Sequence, residues 1–144
     1  MPTKLFDPLL YDLVDSKAKR ATISVLEHKG IKTDSTETMD ADIIAWHPFK
    51  HETEVKLCWS GSWPSQWRTV HIPHRKARII KEGQRLFFWI WNCELSECWI
   101  VDGAILNDEM LTEVPNRILP HGELFYAVPI DQATLWKMEW LNQQ

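Results

Sequence analysis

The sequence predicts a single α/β domain spanning residues 1–144, and three observations carry that prediction. A long helical pattern opens the chain, strand-forming runs of aliphatic and aromatic residues follow it in pairs, and 144 residues suit one core. A chain of this length buries about two thirds of the surface its unfolded form exposes. No internal repeat, low-complexity stretch or linker divides it.

The helix has both end signals. Asp7-Pro8 offers a capping side chain followed by proline at the first helical position, and Gly30 stands at the end. Between them Leu9, Leu10, Leu13, Val14, Ala18, Ala21, Val25 and Leu26 recur at near-helical spacing. The pattern then turns β-compatible. Residues 31–38 read as a weak, threonine-rich strand, 42–46 as a stronger one, 47–51 as a turn, and 53–59 as a third strand in a hairpin with the second.

Residues 60–72 hold Gly61, Pro64, serines and two tryptophans and read mostly as loop; Pro73 is expected to start a short helix that Gly83 ends. Residues 85–92 and 97–105 predict a second hairpin, with the first run apolar enough to be central. A strand at 123–128 and a helix capped by Asp131, carrying Leu135, Met138 and Leu141, complete the expected order.

No run approaches the roughly 20 apolar residues of a membrane span, and the N-terminus lacks the order of a signal peptide. The expectation is a soluble intracellular protein without membrane contact, cytoplasmic in a bacterial or phage-infected cell if so encoded. Cys58, Cys93 and Cys98 lack Cys-x-x-Cys spacing and are expected as buried or half-buried thiols; Cys93 and Cys98 flank a hairpin tip, where redox pairing is an alternative.

The net charge of −4 is unevenly spread: residues 1–93 carry 14 Lys and Arg against 11 acids, and 94–144 carry 2 against 9. Arg68, Arg75, Lys76, Arg78, Lys81 and Arg85 form a basic stripe with His71 and His74 among them, a pattern that supplies phosphate contacts or, alternatively, a solvated helix face.

The chemistry-bearing pattern is Thr53-Glu54-Val55-Lys56-Leu57. A period of two puts Glu54 and Lys56 on one strand face, with Val55 and Leu57 on the other, and antiparallel pairing could bring Asp42 on the preceding strand close to Glu54. Two carboxylates suit Mg²⁺, which polarises a phosphate and acidifies a bound water, while a lysine neutralises charge developing on the phosphate.

Asp42-Ile43-Ile44-Ala45 followed by Glu54-Val55-Lys56 resembles the signature of PD-(D/E)XK nucleases, particularly archaeal Holliday-junction resolvases and small homing or restriction endonucleases. The resemblance covers residues 8–106 and implies a restriction-endonuclease-like αβββαβ core: a mixed central sheet flanked by helices, here with an extra C-terminal strand and helix. It implies Asp42, Glu54 and the backbone carbonyl of Val55 as metal ligands, Mg²⁺ as cofactor with Mn²⁺ able to substitute, and Lys56 as the catalytic lysine. Asp42 and Glu54 then count with Lys56 as the catalytic set. Ala41 replaces the proline of the family's name. Lys19 replaces the first-helix glutamate of many resolvase-like members, with Asp12 or Asp15 as possible substitutes.

Trp89, Trp91 and Trp99 alternate within strands, and Trp136 and Trp140 share a face of the expected last helix, so these five read as core. Trp63 and Trp67 sit in the loop after the Glu54-Lys56 strand and are candidates for stacking on bases; packing on the sheet or a second subunit is the alternative. Arg68, His71, His74, Arg75 and Lys76 complete the candidate nucleic-acid contacts, and no cysteine lies near them for a zinc site. The expected function is metal-dependent cleavage of duplex DNA by a homodimer or higher homo-oligomer, since one site cuts one strand. A junction resolvase and a non-catalytic DNA-binding or assembly module are the alternatives.

Overall fold

The structure, a computed structural model, describes residues 8–30, 33–34, 43–45, 49–77, 85–114 and 122–142. The mixed α/β architecture has three layers: helix α1 (Pro8–His28), a six-stranded mixed sheet, and a three-stranded antiparallel sheet. None of the described helices is long and apolar enough to cross a membrane.

The large sheet runs in the order β1 (Thr33–Asp34), β2 (Ile43–Ala45), β3 (Phe49–Lys56), β5 (Arg85–Asn92), β6 (Glu97–Asp102) and β9 (Thr134–Lys137). The small sheet is β4 (Thr69–Pro73), β8 (Glu123–Pro129) and β7 (Leu111–Val114). One helical turn, α2 (His74–Ala77), follows β4. Neighbours in the large sheet pair antiparallel except β3 and β5, which run parallel from Phe49↔Arg85 to Lys56↔Asn92. A parallel pair needs a crossover, and residues 57–84 supply it.

Strand β5 is central, and from Phe88 to Asn92 every residue is buried. Its alternation divides the core. Trp89 and Trp91 pack with Cys98 against Ala18, Val25 and Leu26 of α1; Leu86, Phe88 and Ile90 pack with Trp59, Trp99 and Val101 against Val70, Ile72 and Val128 of the small sheet. Each fully buried indole contributes roughly 4 to 6 kcal/mol of transfer free energy before ordering entropy is subtracted.

Several expectations are corrected. Strand β3 begins at Phe49 and ends at Lys56, not at 53–59, because its ladder with β5 draws in residues expected to form a turn. Within the expected loop, Thr69–Pro73 is a strand: Val70 and Ile72 enter the core while Thr69 and His71 point away, and Pro73 is tolerated because β4 lies at a sheet edge. Of the helix expected after Pro73, only His74–Ala77 lies among the described residues. Among the described residues, the face opposite α1 is covered by the small sheet and not by a helix.

The expected C-terminal helix is replaced by a 3-10 turn at Ile130–Gln132, strand β9 and a second 3-10 turn at Met138–Asn142. The free edge of β6 outweighs helical spacing there: Leu135 pairs with Trp99 and Trp136 with Cys98, so the two side chains enter opposite core layers. Trp136 and Trp140 still meet edge to face at 5.2 Å.

Two of the three cysteines also differ from expectation. Cys58 and Cys93 are exposed at strand ends, Cys98 is buried, and all three are free thiols. The Cys93 thiol donates to Glu94 at 2.6 Å, and burial pushes the Cys98 thiol well above its usual range.

Candidate active site

The alternation of β3 positions the motif. His51, Thr53 and Val55 face the α1 layer, where Val55 packs on the Trp89–Trp91 cluster. Glu52, Glu54 and Lys56 therefore take the opposite face, in register with Phe88, Ile90 and Asn92 of β5. One Glu54 carboxylate oxygen, Oε2, is buried, and Lys56 is half-buried. The expected common face for Glu54 and Lys56 is thus present, at the carboxyl end of two parallel strands, where open α/β sheets leave a crevice for ligands.

The crossover brings further candidates to Lys56. Its Nζ lies 5.8 Å from the centroid of the Trp67 ring. His71, on β4, has its imidazole pushed below the usual range by partial burial and then by the Lys56 charge, so it is neutral at neutral pH. The His71 Nε2 is 3.3 Å from Thr69 Oγ1, and its ring lies 5.6 Å from that of Phe125. Lys56, Trp67 and His71 therefore form one polar and aromatic group beside Glu54.

A hydrogen-bonded frame holds the start of the crossover against the β5–β6 turn. Asn92, fully buried, donates through Nδ2 to the Gly61 carbonyl at 3.0 Å and to Ser96 Oγ at 2.8 Å, and its Oδ1 accepts from the Ser96 and Glu97 amides. The Gly61 amide donates to Glu94 at 2.7 Å, and the Cys93 amide donates to the Trp59 carbonyl at 2.8 Å. Gly61 has φ of +70°, a conformation glycine adopts without strain. Asn92 and Thr69 were not singled out from sequence; the usable signal for Asn92 was a polar residue closing an otherwise apolar strand.

Other candidates are placed apart from this group or engaged elsewhere. Trp63 meets Trp59, Trp67 and Trp99 edge to face at 4.9, 5.0 and 5.8 Å and donates its indole N–H to the Trp67 carbonyl, so it packs on the core. Arg68 is exposed just before β4, and His74 lies against Tyr126 at 5.6 Å. Arg75 pairs with Glu123 on β8 at 3.3 Å. Asp42 lies outside the described residues, as do the side chains of Asp12, Asp15 and Lys76; Lys19 is half-buried on α1.

Among the described residues no three His, Cys, Asp or Glu side chains are grouped so as to hold a metal ion. The donors the motif offers, the Glu54 carboxylate and the Val55 carbonyl with Asp42 in the sequence, are all oxygen and fit a hard divalent cation in kind. No protein-family model matches the chain, and comparison with curated proteins finds no match.

Proposed function

We propose that the protein is a Mg²⁺-dependent endodeoxyribonuclease of the PD-(D/E)XK type, a small homing- or restriction-type cutter that acts on duplex DNA as a homo-oligomer. The observation that carries this reading is Glu54 and Lys56 sharing one face at the carboxyl end of β3, beside the parallel end of β5. The order α1, β1, β2, β3, α2, β5 supports it, being the αβββαβ order with β4 inserted into the crossover. Asp42, Glu54 and the Val55 carbonyl would hold the cation, with Mn²⁺ able to replace Mg²⁺. Such an ion polarises the scissile phosphate and acidifies water.

The chain's own groups supply the rest. The Lys56 ammonium stabilises negative charge as it grows on the phosphate, in a half-buried place where that interaction is stronger than in open water. Arg68, His71, His74, Arg75 and Lys76 are the phosphate contacts of this reading, all carried on the crossover.

The test is incubation of the purified protein with plasmid, linear duplex and four-way junction DNA in Mg²⁺, Mn²⁺, Ca²⁺ or EDTA, with Glu54→Gln and Lys56→Ala alongside. Duplex cutting in Mg²⁺ that both variants lose by orders of magnitude, with circular dichroism unchanged, is the expected result. Junction-only cutting would make it a resolvase. Binding without cutting in any metal would make it a non-catalytic module, and cleavage that persists in EDTA would remove the metal from the reading.

A further inference from the structure

We propose that Trp67 is the positioning residue for Lys56: its indole face is the seat on which the ammonium rests at the end of β3. The inference rests on the nuclease reading for its consequence in catalysis, but the seat itself is a matter of geometry. Lys56 is the last residue of β3, and its Nζ stands 5.8 Å from the Trp67 centroid, within the range of cation–π attraction.

The seat is itself held firmly. The Trp67 amide donates to the Pro64 carbonyl at 3.0 Å, and its carbonyl accepts the Trp63 indole N–H at 2.7 Å. Its ring stands edge to face with Trp63 at 5.0 Å, and Trp63 stands likewise with the fully buried Trp59. A ring so fixed limits the rotamers of a flexible four-carbon side chain before substrate arrives. Less ordering is then left for the moment at which the ammonium meets the phosphate. Trp67 thus acts through Lys56, and not by stacking on bases.

Two measurements separate this inference from the nuclease reading. The first is the chemical shift of the Lys56 ε-methylene protons in protein labelled with ¹³C-lysine. An indole face shifts them upfield in the wild type; Trp67→Leu returns them to the position of an exposed lysine, and Trp67→Phe retains part of the shift. Thermal melts confirm that both variants fold. An unshifted Lys56 in the wild type, or a shift indifferent to Trp67→Leu, overturns the proposal whether or not the protein cuts DNA.

The second is single-turnover and steady-state cleavage. Trp67→Leu lowers kcat about fivefold to tenfold with KM for DNA little changed, and Trp67→Phe recovers most of it. A raised KM with unchanged kcat identifies a DNA contact and overturns the positioning role. If the wild type cuts no DNA, the nuclease reading falls, and the methylene shift alone decides the seat.

Discussion

The indole N–H of Trp89 on β5 donates to Nδ1 of His51 on β3 at 2.9 Å, a bond between two buried side chains that spans the parallel seam. His51 also stacks on Phe87 at 5.4 Å, and its Nε2 is buried with no hydrogen-bond partner among the described residues. Because Nδ1 accepts, the ring is neutral with its proton on Nε2. Burial lowers its pKa from 6.5 to about 4.

Stability is therefore predicted to fall on acidification. Between pH 6.5 and about 4 the unfolded chain binds a proton at His51 that the folded protein does not. The contribution is complete above pH 6.5 and is lost as pH falls through that window, on the order of 3 kcal/mol in all. Urea melts of the wild type and His51→Phe across this range measure it. Parallel pH profiles for the two proteins would rule out His51 as the group responsible.

A second bond joins the sheet to the helix: Trp91 Nε1 donates to Thr22 Oγ1 at 2.9 Å, and that hydroxyl donates to the Ala18 carbonyl. Thr22→Val preserves shape but leaves the Trp91 N–H buried without an acceptor, at a predicted loss of about 1 to 3 kcal/mol. Thr22→Ser keeps the hydroxyl and is expected to lose less. Denaturant melts rank the three proteins, and equal loss in both variants would assign the effect to packing.

Asn92→Ala removes four hydrogen bonds at once from a fully buried site. The expected destabilisation is about 2 to 4 kcal/mol, with faster hydrogen exchange at the Ser96 and Glu97 amides. Unchanged exchange there would show that the turn holds its shape without the side chain.

Arg75 and Glu123 form an exposed pair, worth less than about 1 kcal/mol to stability. Its removal is predicted to show in DNA binding instead. Arg75→Ala lowers the magnitude of the salt slope by about 0.9 and weakens all sequences alike, whereas Glu123→Gln releases the guanidinium and strengthens binding. Fluorescence titrations at several salt concentrations read both. Loss of preference at a single base position, with the slope intact, would make Arg75 a base reader.

How much of this was legible follows from how local each signal is. Helix α1 and the β5–β6 hairpin announce themselves through Pro8, Gly30 and two apolar runs close together, and both are found. The shared face of Glu54 and Lys56 was equally readable, because the two-residue period is strand geometry. The small sheet was not: Val70 and Ile72 find Val128 and Tyr126 far along the chain, and only that pairing makes a strand of a stretch rich in turn residues. Leu135, Met138 and Leu141 are spaced three apart and imitate a helix, but the edge of β6 decides otherwise. Trp67 meets Lys56 through the turn-rich segment just after β3, whose path no periodic pattern records.

Strand β9, which closes β6, is made well after it. During synthesis Glu97-Cys98-Trp99-Ile100-Val101 leaves the ribosome with one edge bare, a short apolar template of the kind that recruits other nascent chains. Thr134–Lys137 acts as a latch on that edge, and Lys137 at its end adds a charge that discourages stray pairing. The sheet's last pairing is thus left to four residues that emerge well after the strand they cover.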